Sequence, residues 1–382
     1  MLRQACVLGC VALLGCNGET DTTQSGEDAV SSPDTRLEAL LGGVEPSGFA
    51  LALAPRAFEF PRDHGPHPEF RHEWWYFTGH LDGADGERFG FELTFFRYAL
   101  APSSPAETGA SRWRSHQIYV AHFAITDVAR RIFHSAERRA RDALELAGAR
   151  SPPLRVWVQD WSVVSEPSGW RLSAADSPYS LSLVLEPAVP PIPNGEQGLS
   201  RKSKEPGAAS FYYSIPRLTV RGELRRDGRR LAVTGAAWLD REWGSGALAE
   251  DQEGWDWFAV QLDDGSALMF YSLRKRDGTR DPFSAGTWSE ADGSARQLPG
   301  TEVEIDVLDH WQSPRGGSYP ARWRLRLAAL GVNLELQPVL ADQELDTTPR
   351  YWEGAVDVRG QRAGAEVTGR GYVELTGYAP AH

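Results

Sequence analysis

The chain has 382 residues, with 52 acidic and 40 lysine or arginine side chains and a formal net charge of -12. That balance argues against a nucleic-acid partner, since no basic run is long enough to neutralise a phosphate backbone. The length exceeds the usual size of one domain, so two domains, each able to bury a core, are expected.

The N-terminus, MLRQACVLGCVALLGC, carries one early Arg3 and an apolar run shorter than the ~20 residues that cross a bilayer, so residues 1–15 read as a signal peptide. Leu13-Leu14-Gly15-Cys16 resembles a bacterial lipobox. The resemblance implies cleavage before Cys16, lipidation of its sulfur and a membrane tether, and Asn17 in the next position implies the outer membrane, facing the periplasm. A plain secretory signal is the alternative. Cys6, Cys10 and Cys16 are the only cysteines, so the exported chain would have no disulfide, no thiolate metal site and no cysteine nucleophile. Residues 16–50, rich in Thr, Ser, Asp, Glu and Gly, read as a flexible tether.

Beyond the tether one pattern recurs: short runs of alternating apolar and polar residues, rich in Trp, Tyr, Phe, Val and Leu, closed by Asp-Gly or glycine-rich turns. ERFGFELTFFRYAL, RLTVRGELRRDGRRLAVTGAAWLD and WDWFAVQLDDGSALMFYSLR are examples. Such runs joined by Asp-Gly predict β-hairpins, and many of them predict an all-β sandwich or barrel. The clearest helical candidate is ERRARDALELAG, Glu137 to Gly148. The glycine-rich segment from Trp243 to Gly254 is the expected join between domains at 51–246 and 247–382.

Alternation along a strand places Trp74, Tyr76, Thr78 and His80 on one face of EWWYFTGHL and Glu73, Trp75, Phe77 and Gly79 on the other. Trp255 and Trp257 oppose Asp256 and Phe258. Tyr351, Glu353 and Asp357 oppose Trp352, and Tyr372 and Glu374 oppose Val373. One tryptophan alone is most simply core packing. Acids and tyrosines near tryptophan in separate strands are the lining expected of a ligand pocket. In AAWLDREWG the string Asp240-Arg241-Glu242 is either an ion-pair network or the setting of a proton donor whose pKa is raised by burial beside indoles. Lys202 and Lys204, two of only three lysines, precede Tyr212 and Tyr213 and form either a solvated loop or an anion-binding patch. No HExxH, GxSxG, GxxxxGK[ST] or helix-opening GxGxxG is present, so neither a metal nor another cofactor is expected.

HEWWYFTGHL, SRKSKEPGAASFYYS, AAWLDREWG, GWDWFAVQLDDGSALMFY, YPARWRL, YWEGAVDV and GYVELTGY, in this order, resemble the CrtC/AttH family from about Phe60 to the C-terminus. The resemblance implies two tandem lipocalin-like antiparallel β-barrels. It also implies a relationship to carotenoid hydratase (hydroxyneurosporene synthase), which adds water to a terminal alkene of an acyclic carotenoid without a cofactor. An Asp-His-x-Trp motif is implicated in that catalysis. Here it aligns with Asp240, Arg241, Glu242 and Trp243, arginine replacing histidine, and arginine exchanges no proton at neutral pH.

Two functions are therefore expected as alternatives. One is a cofactor-independent lyase or isomerase acting on a polyene or terpenoid, with Asp240 as acid, Arg241 and Trp243 beside it, and Trp243, Trp255 and Trp257 as a cation-stabilising wall. The other is a carrier of a lipid or other lipophile in the cell envelope. Glu73, Trp74, Tyr76, Lys202, Tyr213, Trp255, Trp257, Glu353 and Tyr372 are the expected ligand-binding residues. The expected partners are a hydrophobic small molecule and, through Cys16, a membrane.

Overall fold

The computed structural model describes residues 48–102, 115–246 and 248–380. Cys16, the signal peptide and most of the tether lie outside the described residues.

Two antiparallel sheets account for the described chain, one from His72 to Gly244 and the other from Gln252 to Leu375. Each closes the same way. In the first, the opening strand His72–Gly83 pairs with the final strand Arg229–Gly244, Tyr76 opposite Asp240. In the second, Gln252–Leu262 pairs with Ala365–Leu375, Trp257 opposite Glu374. The outermost strands of the first sheet, Ile132–Arg141 and Ala147–Arg150, are consecutive in the chain, as are Ala295–Pro299 and Glu304–Gln312 in the second. Each sheet thus curls into a barrel whose seam is spanned by a single 3-10 turn, Ala143–Glu145 or Gly300–Glu302. Full curling removes most of the exposed edge that an open sheet presents.

The hairpins follow their turn chemistry. Asp227 and Gly228, both at positive φ (51° and 77°), join Ala209–Arg226 to Arg229–Gly244, as the two-residue turn that matches strand twist requires. Inward residues such as Trp75, Phe77 and Leu81 from one strand, and Phe91, Leu93 and Phe95 from its neighbour, fill the first barrel. Phe258, Trp323, Leu334 and Trp352 fill the second.

The helix expected over Glu137 to Gly148 is absent. Glu137 to Arg141 continue the strand Ile132–Arg141, and Ala147–Arg150 is a strand as well. Helix-favouring Ala, Arg and Glu are overruled by pairing with Gln117–Asp127. Ala136 and Ala140 pack against the first core, and the Arg138 guanidinium sits 4.5 Å over the Trp161 ring. Leu144 and Leu146, the main apolar residues of that segment, are 40% and 50% exposed.

A third apolar layer, including Tyr76, Tyr212, Trp238, Trp257, Met269 and Tyr372, lies between the sheets. Gly90 permits this approach: a Cβ there would stand 2.6 Å from the Tyr372 hydroxyl and 2.8 Å from Ala355 Cβ. Polar bonds cross the same layer, from the Gln261 amide to the Ala237 carbonyl (3.0 Å) and between His80 and the Gly371 carbonyl (2.9 Å).

Candidate functional site

The site arises from two rows of side chains set by strand register. Across the first sheet, Glu137, His122, Thr94, Tyr76, Asp240 and Ser214 are successive partners on neighbouring strands. Across the second sheet, Tyr271, Trp257, Glu374 and Glu353 form the matching row. The rows sit on the barrels' outer faces. Between them lies a cavity of about 160 Å³, walled by Trp74, Tyr76, His122, Tyr212 and Asp240 on one side and by Trp255, Trp257, Tyr271, Tyr351 and Glu374 on the other.

Asp240 is 3% exposed. It accepts hydrogen bonds from Ser214 Oγ (2.5 Å), Trp238 Nε1 (2.7 Å) and the Tyr212 hydroxyl. Trp257 Nε1 donates to Tyr212 in turn (3.2 Å). Burial favours the neutral acid and outweighs these donors, so the Asp240 carboxyl is pushed up to about 7. Glu374 accepts from Trp255 Nε1 (2.8 Å), and burial pushes it up to about 8. Glu242 is paired differently, with Lys202 Nζ at 3.1 Å and Ser210 Oγ as donors. Lys202 lies 4.1 Å over the Tyr271 ring; burial disfavours its charge, but Glu242 keeps the ammonium above its usual range. The cavity therefore offers two carboxyls that hold protons near neutrality, a compensated ion pair, and indole and phenol faces that favour positive charge.

The expected residues divide along strand alternation. Trp74, Tyr76, Lys202, Asp240, Trp255 and Trp257 come together at the cavity. Glu353 and Tyr372 share the space between the barrels without lining the cavity: Glu353 accepts from the Tyr76 hydroxyl at 2.5 Å, and Tyr372 packs edge-on against His80. Glu73, Arg241, Trp243 and Tyr213 correct the expectation. They point into the first barrel, where Arg97 and Arg241 grip the Glu73 carboxylate and the His67 backbone amide donates to it at 3.1 Å. Trp243 stacks on His67 with ring centres 3.9 Å apart, and Tyr213 bonds His64 at 2.6 Å. The reason is geometric: Asp240 and Glu242 face outward, so Arg241 and Trp243 must face inward.

Tyr351 and Glu374 stand on strand faces expected to line a pocket but are not among the expected ligand-binding residues, and Tyr212 and His122 have no place in that expectation. Glu374 sits two residues from Tyr372, and Tyr212 is next to Tyr213, so correct facing of either strand would have found them. His122 carries no local signal. Among the described residues, no group of three or more His, Cys, Asp or Glu is placed to hold a metal ion.

Residues 51–378 match the AttH-like family. An AttH protein (NE1406) from Nitrosomonas europaea is similar in structure, with TM-score 0.77 and 37% identity over 87% of this chain and 100% of that one. Kievitone hydratase from Nectria haematococca superposes with TM-score 0.65 and 17% identity, over 87% of this chain and 97% of that one. CghA with Sch210972 gives 0.52 and 14%, over 88% and 98%. At these identities the last two neighbours share the fold. No curated protein sequence matches. The chain belongs to the AttH-like family, and its fold is the tandem lipocalin-like pair of barrels.

Proposed function

We propose that this member of the AttH-like family binds an uncharged, alkene-bearing hydrophobic molecule between its barrels and catalyses cofactor-free hydration or isomerisation of the double bond. The observation that carries the reading is Asp240, a cavity-wall carboxyl that keeps its proton to about 7, within a box of aromatic rings. The hydratase named among the structural neighbours shares this fold and supports the choice of reaction class.

In this scheme the Asp240 carboxyl transfers its proton to one alkene carbon, forming a C–H bond, and the positive charge appears on the other carbon. Trp255 and Trp257 stabilise that charge through their ring faces. Loss of a neighbouring proton gives an isomerised alkene. Attack by water followed by loss of one water proton gives the alcohol. Ser214, Tyr212 and Trp238 position the acid and receive the charge it acquires. Lipidation at Cys16 would place the reaction at the outer membrane, where such substrates partition.

The test is incubation of the purified protein in ¹⁸O-labelled water with acyclic carotenoids and, separately, with an envelope lipid extract, followed by mass spectrometry. Label in the product that Asp240→Asn abolishes supports the enzyme. Lipid that co-purifies unchanged with both proteins, without any labelled product, replaces it with a carrier.

A further inference from the structure

The cavity also carries a hydrogen-bonded chain that the scheme above does not use. Glu137, on the first barrel's edge strand, is 16% exposed at its side chain and faces His122 Nε2 at 3.2 Å. His122 Nδ1 faces the Tyr351 hydroxyl at 2.8 Å. That hydroxyl lies 3.3 Å from Glu92 Oε1. Glu92 is 1% exposed, and its second oxygen has no partner among the described residues; the same holds for Glu353 Oε2. The chain crosses from one barrel to the other and back, since Tyr351 alone comes from the second sheet. It also passes along the cavity, because His122 and Tyr351 both line it.

A network serving only to pin the barrels together needs no buried carboxyl at its inner end, and leaving an oxygen of such a group unpaired is costly. Other interbarrel bonds, such as Arg370 with Asp82 at 2.8 Å, are ion pairs near solvent. Here, by contrast, a partly exposed carboxylate connects through alternating donor–acceptor groups to a carboxyl whose pKa burial raises. Imidazole and phenol can each accept a proton at one position while releasing another.

We propose that Glu137, His122 and Tyr351 form a proton relay joining the surface to Glu92, and that Tyr351 is the cavity's second acid/base group. Outward, the Glu92 proton passes to Tyr351 Oη as the Tyr351 hydroxyl proton passes to His122 Nδ1 and the Nε2 proton to the Glu137 carboxylate; inward, the reverse transfers return one proton to Glu92. Each transfer breaks one bond to hydrogen and forms one, so a single proton is delivered and none is lost. Outward, the same groups remove the proton that an attacking water gives up in the cavity. Glu137 is the relay's outer member and also orients His122. The catalytic meaning of the relay rests on the function proposed above; its existence does not.

The test needs no substrate. Infrared spectra of the full chain at pH 6 are followed after rapid transfer into heavy water, with the carbonyl bands of the buried protonated acids assigned by Glu92→Gln and Glu353→Gln. The expected result is a Glu92 band that shifts quickly in the unmodified protein and at least 10-fold more slowly in Tyr351→Phe, which keeps the ring and its packing. His122→Gln is the second variant and should slow exchange as much, while Glu137→Gln slows it less. Circular dichroism confirms the fold of each. Exchange equally fast in Tyr351→Phe and His122→Gln, or no protonated band assignable to Glu92, overturns the relay. A failed relay with label still entering product removes this inference alone. An intact relay without product or bound ligand removes the proposed function instead.

Discussion

Buried carboxyls inside the first barrel and between the two barrels are driven in opposite directions. Inside the first barrel, burial disfavours the Glu73 charge, but the Arg97 and Arg241 guanidiniums reverse the balance and hold the carboxyl well below its usual range. Between the barrels, Asp240 and Glu353 are almost as deeply buried and Glu374 partly so, but they have phenols, indoles, hydroxyls and other acids as neighbours, and all three are raised. Burial alone does not set the state of these acids; the two guanidiniums that converge on Glu73 reverse its effect there. Inside the barrel Glu73 is held as a clamped anion, whereas burial favours the neutral form of the outer carboxyls.

The largest expected effect breaks the clamp. Arg241→Leu leaves Glu73 with one guanidinium in a dry interior and should cost about 3–5 kcal/mol in urea denaturation. A loss below about 1 kcal/mol would mean that water reaches this site. The outer set should respond in the opposite direction. Asp240→Asn is expected to raise stability on the order of 1–3 kcal/mol at pH 8.5 while abolishing turnover, because it removes a charge the fold disfavours. A destabilised variant at that pH would show that Asp240 is held as a paired anion.

The pH dependence sharpens the same contrast. Asp240 rises from 3.8 to about 7 on folding, so the unfolded chain loses this proton first and stability falls as pH climbs through that window. Glu73 is depressed from 4.5, so its contribution is complete above that value and fades on acidification below it. Denaturation midpoints from pH 3 to 9 should therefore pass through a maximum, and Asp240→Asn should flatten only the upper flank. The smallest effect concerns the aromatic wall. Trp257→Phe keeps the apolar area but loses the indole face and the bond to Tyr212, and should weaken binding of a long-chain tertiary amine, a mimic of the cation, roughly 2- to 30-fold by fluorescence titration. An isosteric alcohol should be affected less.

The fold was legible because alternation and Asp-Gly turns are local signals, as at Asp227-Gly228. The facing of each strand was not. EWWYFTGHL has aromatic residues on both faces, and the partner that draws Glu73 inward, Arg241, lies 168 residues away. The Asp240-Arg241-Glu242 string was read as one constellation, whereas its members serve two different interiors. His122 and Glu137 were invisible for the same reason: they become neighbours only through the pairing of Gln117–Asp127 with Ile132–Arg141, a segment whose composition suggested a helix.

Placing the cavity outside both barrels separates two kinds of selection within each strand. Every second residue answers to the solidity of a barrel, while those between answer to whatever molecule is held. A lineage can therefore exchange Trp74, Tyr76, Asp240 or Trp257 and acquire a new chemistry while the neighbouring inward positions, and with them the architecture, stay as they were.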